Sequence, residues 1–220
     1  MKMGGRREME LTLVKFDPQK HDLSALAALI YAADPEFNQL VYGSSEQGRA
    51  LIRRLLQLDH NYFAPPYLNL AMHKKRVVGV VVSFPVTMKK QIDMEAGKAF
   101  MRVFGFGATL KKMPALIKLD RIVTKKMDPE GCFIHTVSVN TRFRGSGVGR
   151  FLLEPLFRDY VTCYLDVNIN NPDALAFYQR LGFTIQAKNT MTYHNKEWGL
   201  FSMKKVSSLI PVQDEADVKG

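Results

Sequence analysis

Phe133–Gly149 has the sequence FIHTVSVNTRFRGSGVG and contains an apolar segment, a glycine-rich loop and the start of a helical pattern. The apolar segment is rich in β-branched residues, which predicts a strand ending at Val139. A few residues later, Arg144-Gly-Ser-Gly-Val-Gly149 leads directly into helical periodicity. This order forms an anion site, because unpaired backbone N–H groups and the helix dipole attract negative charge. The stretch therefore predicts binding of a phosphorylated small molecule.

Two common nucleotide-binding loops do not fit this spacing. A phosphate-binding P-loop ends in Gly-Lys-Ser/Thr, whereas Gly149 is followed by Arg150 and Phe151. A dinucleotide fingerprint needs a third glycine, but Arg150 or Leu152 stands there, depending on which glycine starts the count. Asp166 lies about where a ribose-binding acid would be expected. Without the third glycine, we interpret that placement as a coincidence.

A second motif lies at residues 162–183, TCYLDVNINNPDALAFYQRLGF. Cys163–Val167 is a short apolar segment that predicts a strand. Asn171 suits the N-cap of a helix and Pro172 suits its first position. Gly182 suits the C-cap. One face of the predicted helix carries residues at helical spacing, namely Ala174, Phe177, Tyr178 and Leu181.

Both motifs resemble signatures of the GNAT N-acetyltransferase superfamily. Arg144-x-x-Gly147-x-Gly149 is similar to its acetyl-CoA loop, Gln/Arg-x-x-Gly-x-Gly/Ala. The order Asn-x-x-Ala-x-x-Phe-Tyr-x-x-x-Gly-Phe from Asn171 is similar to its second signature. The resemblance covers residues 10 to about 205 and implies a mixed α/β (α+β) fold, whose central twisted sheet of about six to seven strands is flanked by helices. The alternative is a generic α/β domain with two unrelated loops.

The resemblance implies roles for particular residues. Tyr178 matches the tyrosine that lies near the coenzyme sulfur and acts as general acid. The alternative is that Tyr178 only packs its ring on the sheet. Val137 and Val139 match positions whose backbone pairs with pantetheine like an added strand. His135 stands where several members have a glutamate base, although a lone strand histidine is more often structural. The residues expected to bind the coenzyme are Val137, Ser138, Val139, Arg142, Arg144, Gly145, Ser146, Gly147, Val148, Gly149, Arg150, Asn171, Ala174, Phe177 and Tyr178.

The implied activity is transfer of an acetyl group from acetyl-CoA, the co-substrate, to an amine by direct attack in a ternary complex. The acceptor stays open among a small metabolite, an antibiotic-like molecule, a polyamine, and a peptide or protein amine, with a small metabolite favoured. The competing class is an acyl-CoA-binding sensor or interaction domain without turnover. Retention of Tyr178 argues against that class, and the missing glutamate argues for it. The resemblance also leaves a homodimer open.

Composition limits the remaining classes. The 220 residues are 46% hydrophobic and suit one domain with a substantial core. No apolar run is long enough to span a bilayer, so we expect no membrane partner. The chain has two cysteines, Cys132 and Cys163, which favours a reducing cytoplasmic location. The sequence lacks the paired Cys/His spacing of a zinc site, so we expect no bound metal. The formal charge of +10 suits an anionic coenzyme, whereas the scattered Lys/Arg pairs do not interleave with aromatics as nucleic-acid binding requires.

The chain is expected to form one domain over residues 10–205, with a loose leader at 1–9 and a mobile tail at 206–220. The remaining patterns predict a first strand at Leu11–Phe16, a helix capped by Asp22 or Ser24, and a second helix at Ser45–Leu58. A hairpin is predicted from Tyr67–His73 and Val77–Phe84, and two closing strands at Phe183–Lys188 and Leu200–Lys204.

Residues 86–131 form a departure from the family pattern, because a short connection is usual between the hairpin and the coenzyme strand. Two helices are expected there, one at Glu95–Phe104 and one carrying Leu110, Met113 and Ile117, with Pro114 in its first turn. Gly105 and Gly107 are expected to separate them. The insertion is either a lid over the acceptor cleft or padding on the sheet. A second departure is Pro155, which predicts a kink or an early end in the helix after the loop.

Overall fold

A seven-stranded mixed sheet lies at the centre of the computed structural model, which describes residues 9–207. The strand order is β1-β2-β3-β4-β5-β7-β6, and β4 and β5 are parallel while the other neighbouring pairs are antiparallel. The strands are β1 Thr12–Lys15, β2 Leu68–His73, β3 Arg76–Pro85, β4 Cys132–Val139, β5 Thr162–Asn168, β6 Thr184–Tyr193 and β7 Lys196–Val206.

Helices cover both faces of this sheet, which confirms the predicted fold class. The helices are α1 Leu23–Tyr31, α2 Pro35–Tyr42, α3 Ser45–Leu55, α4 Lys89–Phe104, α5 Phe106–Ile122, α6 Val148–Asp159 and α7 Pro172–Arg180. None of the helices between residues 9 and 207 is both long enough and apolar enough to cross a membrane. The expected leader 1–9 and tail 206–220 fall outside the described residues, except that Met9 and Ser207 are described and Val206 ends β7.

Two apolar cores lie on opposite sides of the sheet. On one side, Leu26 and Ile30 of α1 pack with Ile52 of α3 and with Leu70 and Val82 of the hairpin. The other side is formed by α6, α7 and the opposite faces of the central strands, and its buried members include Ile134, Leu153, Leu165 and Met203. Successive strand residues point to opposite faces, so each central strand contributes to both cores.

Both hairpins turn on pairs of residues with positive φ. Lys74 and Lys75 connect β2 to β3, and His194 and Asn195 connect β6 to β7. Two successive residues in the left-handed region give the turn whose twist matches that of paired strands. The first hairpin was predicted around Lys74. The second was missed because the predicted closing strands ended at Lys188 and resumed at Leu200, which left the turn at His194 and Asn195 within a long connection.

The insertion forms two helices, as expected, but with different boundaries. Helix α4 begins at Lys89 rather than Glu95, and Gly105, with φ of 81°, separates it from α5. Gly107 lies inside α5 and does not help to separate the helices. Pro114 was expected in the first turn of the second helix. This is wrong, because α5 begins at Phe106 and Pro114 lies well inside it.

The early end expected at Pro155 is also wrong, because α6 continues to Asp159. A proline inside a helix removes one hydrogen bond and crowds the preceding turn. Burial of Leu152, Leu153 and Leu156 on the sheet outweighs that cost. Helix α2, by contrast, was not predicted. Its N-cap Asp34 accepts from the Phe37 backbone N–H, but the helix is short and buries little apolar surface.

Helix α6 lies close to the sheet because β3 carries a glycine beneath it. A Cβ atom on Gly79 would lie 2.9 Å from both Leu152 Cδ1 and Val148 Cγ1. It would also lie 3.1 Å from the Ser138 carbonyl oxygen. Such distances are too short for carbon atoms, so the glycine sets the depth at which the first turn of α6 packs.

We expect Gly79→Val to lower the free energy of unfolding by about 1–3 kcal/mol, because the added methyl groups overpack the sheet–helix contact. Urea denaturation measures this change. The matched control is Gly97→Ala, at an exposed position of α4 with no atom within 4 Å of the added Cβ. The control should gain up to about 1 kcal/mol from helix propensity. Equal stability of Gly79→Val and the wild type would contradict this account of the contact.

Candidate active site

Strands β4 and β5 pair over only part of their length. Cys132–Ile134 is in register with Cys163–Leu165, and the pairing ends there. Beyond that point β5 continues to pair with β7 through Asn168, while β4 continues to pair with β3 through Val139. Within residues 9–207, no strand pairs with the second half of β4 on its β5 side. The sheet therefore has an open strand edge in its interior.

The backbone groups on this open edge can be assigned from one hydrogen bond. The Asn140 N–H donates to the Val78 carbonyl of β3 at 2.9 Å. Because successive N–H groups of a strand point to opposite sides, those of Val137 and Val139 point away from β3. Their side chains pack in the α6–α7 core, whereas the Ser138 side chain is buried on the opposite face. An extended ligand can add to such an edge as a strand does.

The glycine-rich loop follows directly and leads into α6. Gly145 and Gly147 have φ of 74° and 89°, and no atom of the described residues lies within 4 Å of a Cβ built on either. Among residues 9–207, the N–H groups of Val148, Gly149 and Arg150 have no backbone acceptor. The first bond of the helix is made by the Phe151 N–H to the Gly147 carbonyl at 3.0 Å. These free donors form an open cradle at the positive end of the helix dipole.

Polar contacts within the chain hold the loop. The Asn140 side chain accepts from the Arg142 N–H at 3.1 Å, and the Ser146 hydroxyl donates to the Phe143 carbonyl. The side chains of Arg142, Arg144 and Arg150 are exposed around the cradle. Arg144 Nε lies 3.5 Å from the Val139 carbonyl oxygen at the end of the open edge. Three cations beside free N–H donors suit an anionic group such as a pyrophosphate.

Helix α7 packs against the first turn of α6. A Cβ on Gly149 would lie 2.8 Å from Phe177 Cζ, so the glycine permits close contact with this ring. Asn171 caps α7 by accepting from the Ala174 N–H at 3.0 Å. Ala174 and Phe177 pack against the core on the α6 side of the sheet. The contacts of Asn171, Ala174 and Phe177 therefore place α7 beside the cradle.

Tyr178 lies one residue further along α7. Its ring makes edge contacts with Phe177 and Phe183, with centroids 5.1 and 5.6 Å apart. Among the described residues its hydroxyl has no hydrogen-bond partner. Burial raises the pKa of the Tyr178 phenol above its usual value of 10.0. The hydroxyl is therefore protonated at neutral pH and free to donate to a ligand.

His135 is the extra residue of a β-bulge in β4. Thr136 pairs with Val82 and Ile134 with Ser83, so His135 has no partner on β3. Its ring stacks on Tyr62 at 4.3 Å, and its Nδ1 lies 2.8 Å from the Thr136 hydroxyl. Burial, and after it the nearby Lys89 cation, lowers the pKa of His135 to about 4. The imidazole is therefore neutral at neutral pH and is a weak base.

The structure places these two side chains on opposite faces of the sheet. The His135 ring lies among Tyr62, Phe63 and Phe84, on the side covered by α1, α3 and α4. Tyr178 lies in the α6–α7 core with Val137 and Val139. The open edge of β4 runs between the two faces. The loop, the edge and Tyr178 are thus gathered on one side, and His135 approaches from the other.

A polar network that the sequence did not indicate links α4 to the bulge. The Tyr62 hydroxyl donates to Asp93 Oδ1 at 2.6 Å, and Lys89 Nζ contacts Asp93 Oδ2 at 2.8 Å. Burial, followed by the Asp93 carboxylate, raises the pKa of Tyr62. Because Tyr62 stacks on His135, the network fixes the ring on the insertion side. Tyr62 and Asp93 are far apart in sequence, and no motif joins them.

A second unpredicted cluster lies at the carboxyl end of β5. The buried Asn168 side chain donates to Asp34 Oδ1 at 3.2 Å and to Glu36 Oε2 at 2.7 Å. Burial raises the pKa of Asp34. Partial burial opposes ionisation of Glu36 too, but hydrogen bonds from Lys196, Asn168 and Asn170 hold its pKa below the usual value. The one sequence signal for this cluster was Asp34-Pro35, which suits the N-cap and first position of a helix.

Asp166 has a structural role. Its carboxylate accepts from the Thr124 N–H at 3.0 Å, from the Thr124 hydroxyl, and from the Ser202 hydroxyl at 3.1 Å. Burial raises the pKa of Asp166, although these hydrogen bonds oppose the shift. The carboxylate ties the segment after α5 to β5. Among residues 9–207, no group of three or more His, Cys, Asp or Glu side chains could hold a metal ion.

Solved structures show the same arrangement of strands and helices. An acetyltransferase crystal structure is 23% identical, with a TM-score of 0.59, and the match covers 90% of this chain and 100% of that one. An N-acetyltransferase from Staphylococcus aureus Mu50 is 16% identical, with a TM-score of 0.63 and coverage of 87% and 99%. YjaB from Escherichia coli is 17% identical, with a TM-score of 0.53 and coverage of 91% and 100%. No curated protein matches the sequence significantly.

The sequence itself also matches a family model. The model of the Acetyltransferase (GNAT) family covers residues 42–183, more than half of the chain. That range contains the β-bulge, the open edge of β4, the glycine-rich loop and α7. This match and the geometry around β4 agree, and the chain belongs to the GNAT family of N-acetyltransferases.

Proposed function

We propose that this acetyltransferase moves the acetyl group of acetyl-CoA directly to a small amine within a ternary complex. Membership of the family implies use of acetyl-CoA. The observation that carries the proposal is the open edge of β4 ending at a cradle of free N–H groups. An edge followed by an anion site suits a ligand with an extended amide-bearing arm and a pyrophosphate, which is the chemistry of coenzyme A.

In this proposal the chain holds the co-substrate along two features. The N–H groups of Val137 and Val139 pair with the pantetheine arm, and the turn around Gly145 and Gly147 receives the pyrophosphate. Arg142, Arg144 and Arg150 supply positive charge around it. The fit is supported by the empty space above Gly145 and Gly147, which a side chain would fill.

Proton transfers are assigned to two residues. His135, neutral at neutral pH, accepts the proton that the amine nitrogen loses as its bond to the acetyl carbon forms, directly or through water. A backbone N–H on the open edge donates to the developing oxyanion. Tyr178, held protonated, donates its proton to the sulfur that leaves as the thioester bond breaks. Breaking the carbon–sulfur bond therefore leaves a thiol.

The carboxylates at the end of β5 support an amine acceptor of small size. Asp34 and Glu36 lie at the end of the sheet where β4 and β5 separate, and both accept from Asn168. Lys196 already pairs with Glu36, so the cluster offers limited negative charge. A small cationic amine suits this cluster better than a polycation does, since the chain as a whole carries +10. The free buried thiols of Cys132 and Cys163 support a cytoplasmic location.

Calorimetric titration with acetyl-CoA, followed by thiol release against a panel of small amines and peptides, tests the proposal. We expect binding by the wild type and turnover with at least one small amine. Gly147→Glu should abolish binding, because it places bulk and negative charge in the cradle at a residue with φ of 89°. Gly97→Glu, at an open position on α4, is the control and should bind normally. Binding without turnover on any amine would favour an acyl-CoA sensor, and undiminished binding by Gly147→Glu would refute the loop assignment.

We expect Tyr178→Phe to lower kcat by about 10²–10⁴-fold while changing acetyl-CoA affinity little, because only the proton donor is lost. The ring contacts with Phe177 and Phe183 are retained in this variant. Steady-state kinetics and calorimetry separate the two effects. Tyr164→Phe, which loses a hydroxyl that accepts from the Asp128 N–H outside the site, is the matched control. A kcat equal to that of the wild type would remove Tyr178 from the acid role.

We expect the His135 imidazole to titrate near pH 4, well below the usual 6.5, because burial disfavours its cation. Proton NMR of the ring hydrogens, assigned with His135→Asn, measures the midpoint. Since the folded pKa is lowered, protonation should cost stability as pH falls from about 6.5 toward 4. His135→Asn should also lower kcat, whereas the exposed His60→Asn should not. A midpoint near 6.5 would contradict the burial argument, and unchanged kcat would dismiss His135 as the base.

A further inference from the structure

Exposed apolar side chains are concentrated in the insertion. Among residues 9–207, three exposed large apolar residues lie elsewhere at separate places in the chain, namely Val161, Ile185 and Val206. The others belong to α4 and α5, and they are Met94, Met101, Phe106, Leu110, Met113 and Ile117. Four of these lie on α5 at i, i+4, i+7 and i+11, which is the spacing of a single helix face. We call Phe106, Leu110, Met113 and Ile117 the α5 stripe.

The α5 stripe faces away from the protein core. Helix α5 buries Ala115, Leu119 and Ile122 against the rest of the molecule. At 100° per residue, the centre of the stripe lies on roughly the opposite side of the helix from these residues. Phe106 is 75% exposed and Leu110 is 60% exposed. A sequence pattern that would normally indicate a core face thus points into solvent, as occurs at interaction surfaces.

The insertion that carries the α5 stripe has a net positive charge. Residues 89–126 contain ten Lys or Arg and three Asp or Glu, so much of the net charge of the chain lies in this segment. Arg121 is exposed on α5 next to the stripe, while Lys111 is exposed further round the helix. The one acidic residue of α5, Asp120, is paired with Lys125 at 2.6 Å. On α4, Lys90, Lys98 and Arg102 are exposed near Met94 and Met101.

We propose that the α5 stripe docks the enzyme onto the surface of a lipid bilayer that contains anionic lipid. An apolar helix face bordered by Lys and Arg lies in the membrane interface, with the cations directed to the headgroups. Phosphate headgroups complement the positive segment. A second copy of the chain does not, because it would bring the same cations against each other. The sequence analysis expected no membrane partner, because no apolar run is long enough to span a bilayer. Docking at the membrane surface does not require such a run.

Docking by α5 leaves the active site accessible. The stripe lies on the solvent side of the insertion, while the cradle and Tyr178 belong to α6 and α7 on the opposite face of the sheet from α4. The insertion is joined to the site through Asp93 and Tyr62, and to β5 through Thr124 and Asp166. The proposal concerns where the enzyme acts, and it does not depend on which amine it acetylates.

Co-sedimentation with vesicles tests the proposal, using phosphatidylcholine alone and phosphatidylcholine mixed with phosphatidylglycerol. We expect the wild type to bind the anionic vesicles, and to bind neutral ones or anionic ones at high salt more weakly. The double variant Leu110→Ser/Ile117→Ser should bind anionic vesicles at least about tenfold more weakly, because two apolar side chains no longer enter the interface. The matched control, Ile185→Ser, removes a 41% exposed isoleucine of β6 and should bind like the wild type.

Two further measurements make the result decisive. Urea midpoints of all variants should agree with the wild type, since the substituted residues are exposed. Light scattering after size exclusion reports the oligomeric state. Failure of the wild type to bind anionic vesicles would overturn the proposal, as would equal binding by the double variant. A wild-type dimer that the double variant converts to a monomer would instead assign the α5 stripe to a second copy of the chain.

Discussion

The separation of β4 from β5 is the constraint on which the site depends. Hydrogen bonding between these parallel strands stops after Ile134 and Leu165, and the next residue of β4, His135, forms a bulge against β3. A bulge bends its strand and increases the local twist. Among residues 9–207, the N–H groups of Val137 and Val139 are left without a strand partner in the middle of a seven-stranded sheet. Unpaired backbone there is tolerable only where solvent or a ligand satisfies it.

Close packing brings the other parts of the site to this edge. Gly79 allows the first turn of α6 to approach β3, and Gly149 allows the Phe177 ring to approach that same turn. These apolar contacts position the free N–H groups of α6 and the Tyr178 hydroxyl, together with the polar contacts of Asn140, Ser146 and Asn171. A substitution at Gly79 or Gly149 would therefore change the site by shifting α6 or α7, because neither glycine has a side chain that could contact a ligand. The depth of packing and the geometry of the anion cradle are thus coupled.

The insertion connects the side of the sheet that carries His135 to the outer surface. Its first helix contributes Asp93, which holds Tyr62 against His135, and its exit is fixed by Asp166. Both anchors are buried or half-buried polar contacts, whose partners must be kept together because an unpaired member is costly. The α5 stripe lies on the far side of these anchors. The insertion therefore combines an inner face that supports the site with an outer face that is free for an external surface.

The sequence by itself determined the order of the elements apart from α2, the glycine-rich loop and the helix carrying Tyr178, because these depend on local backbone preferences and periodicity. It misplaced Pro114, and of the kink or early end expected at Pro155 the early end does not occur, since tertiary burial of Leu152 and Leu156 outweighs a local helix-breaking preference. Only the tertiary structure decided that His135 lies in a bulge with a lowered pKa, and that the α5 stripe faces solvent. Periodicity shows that a helix has an apolar face, but what covers that face depends on contacts between residues distant in sequence.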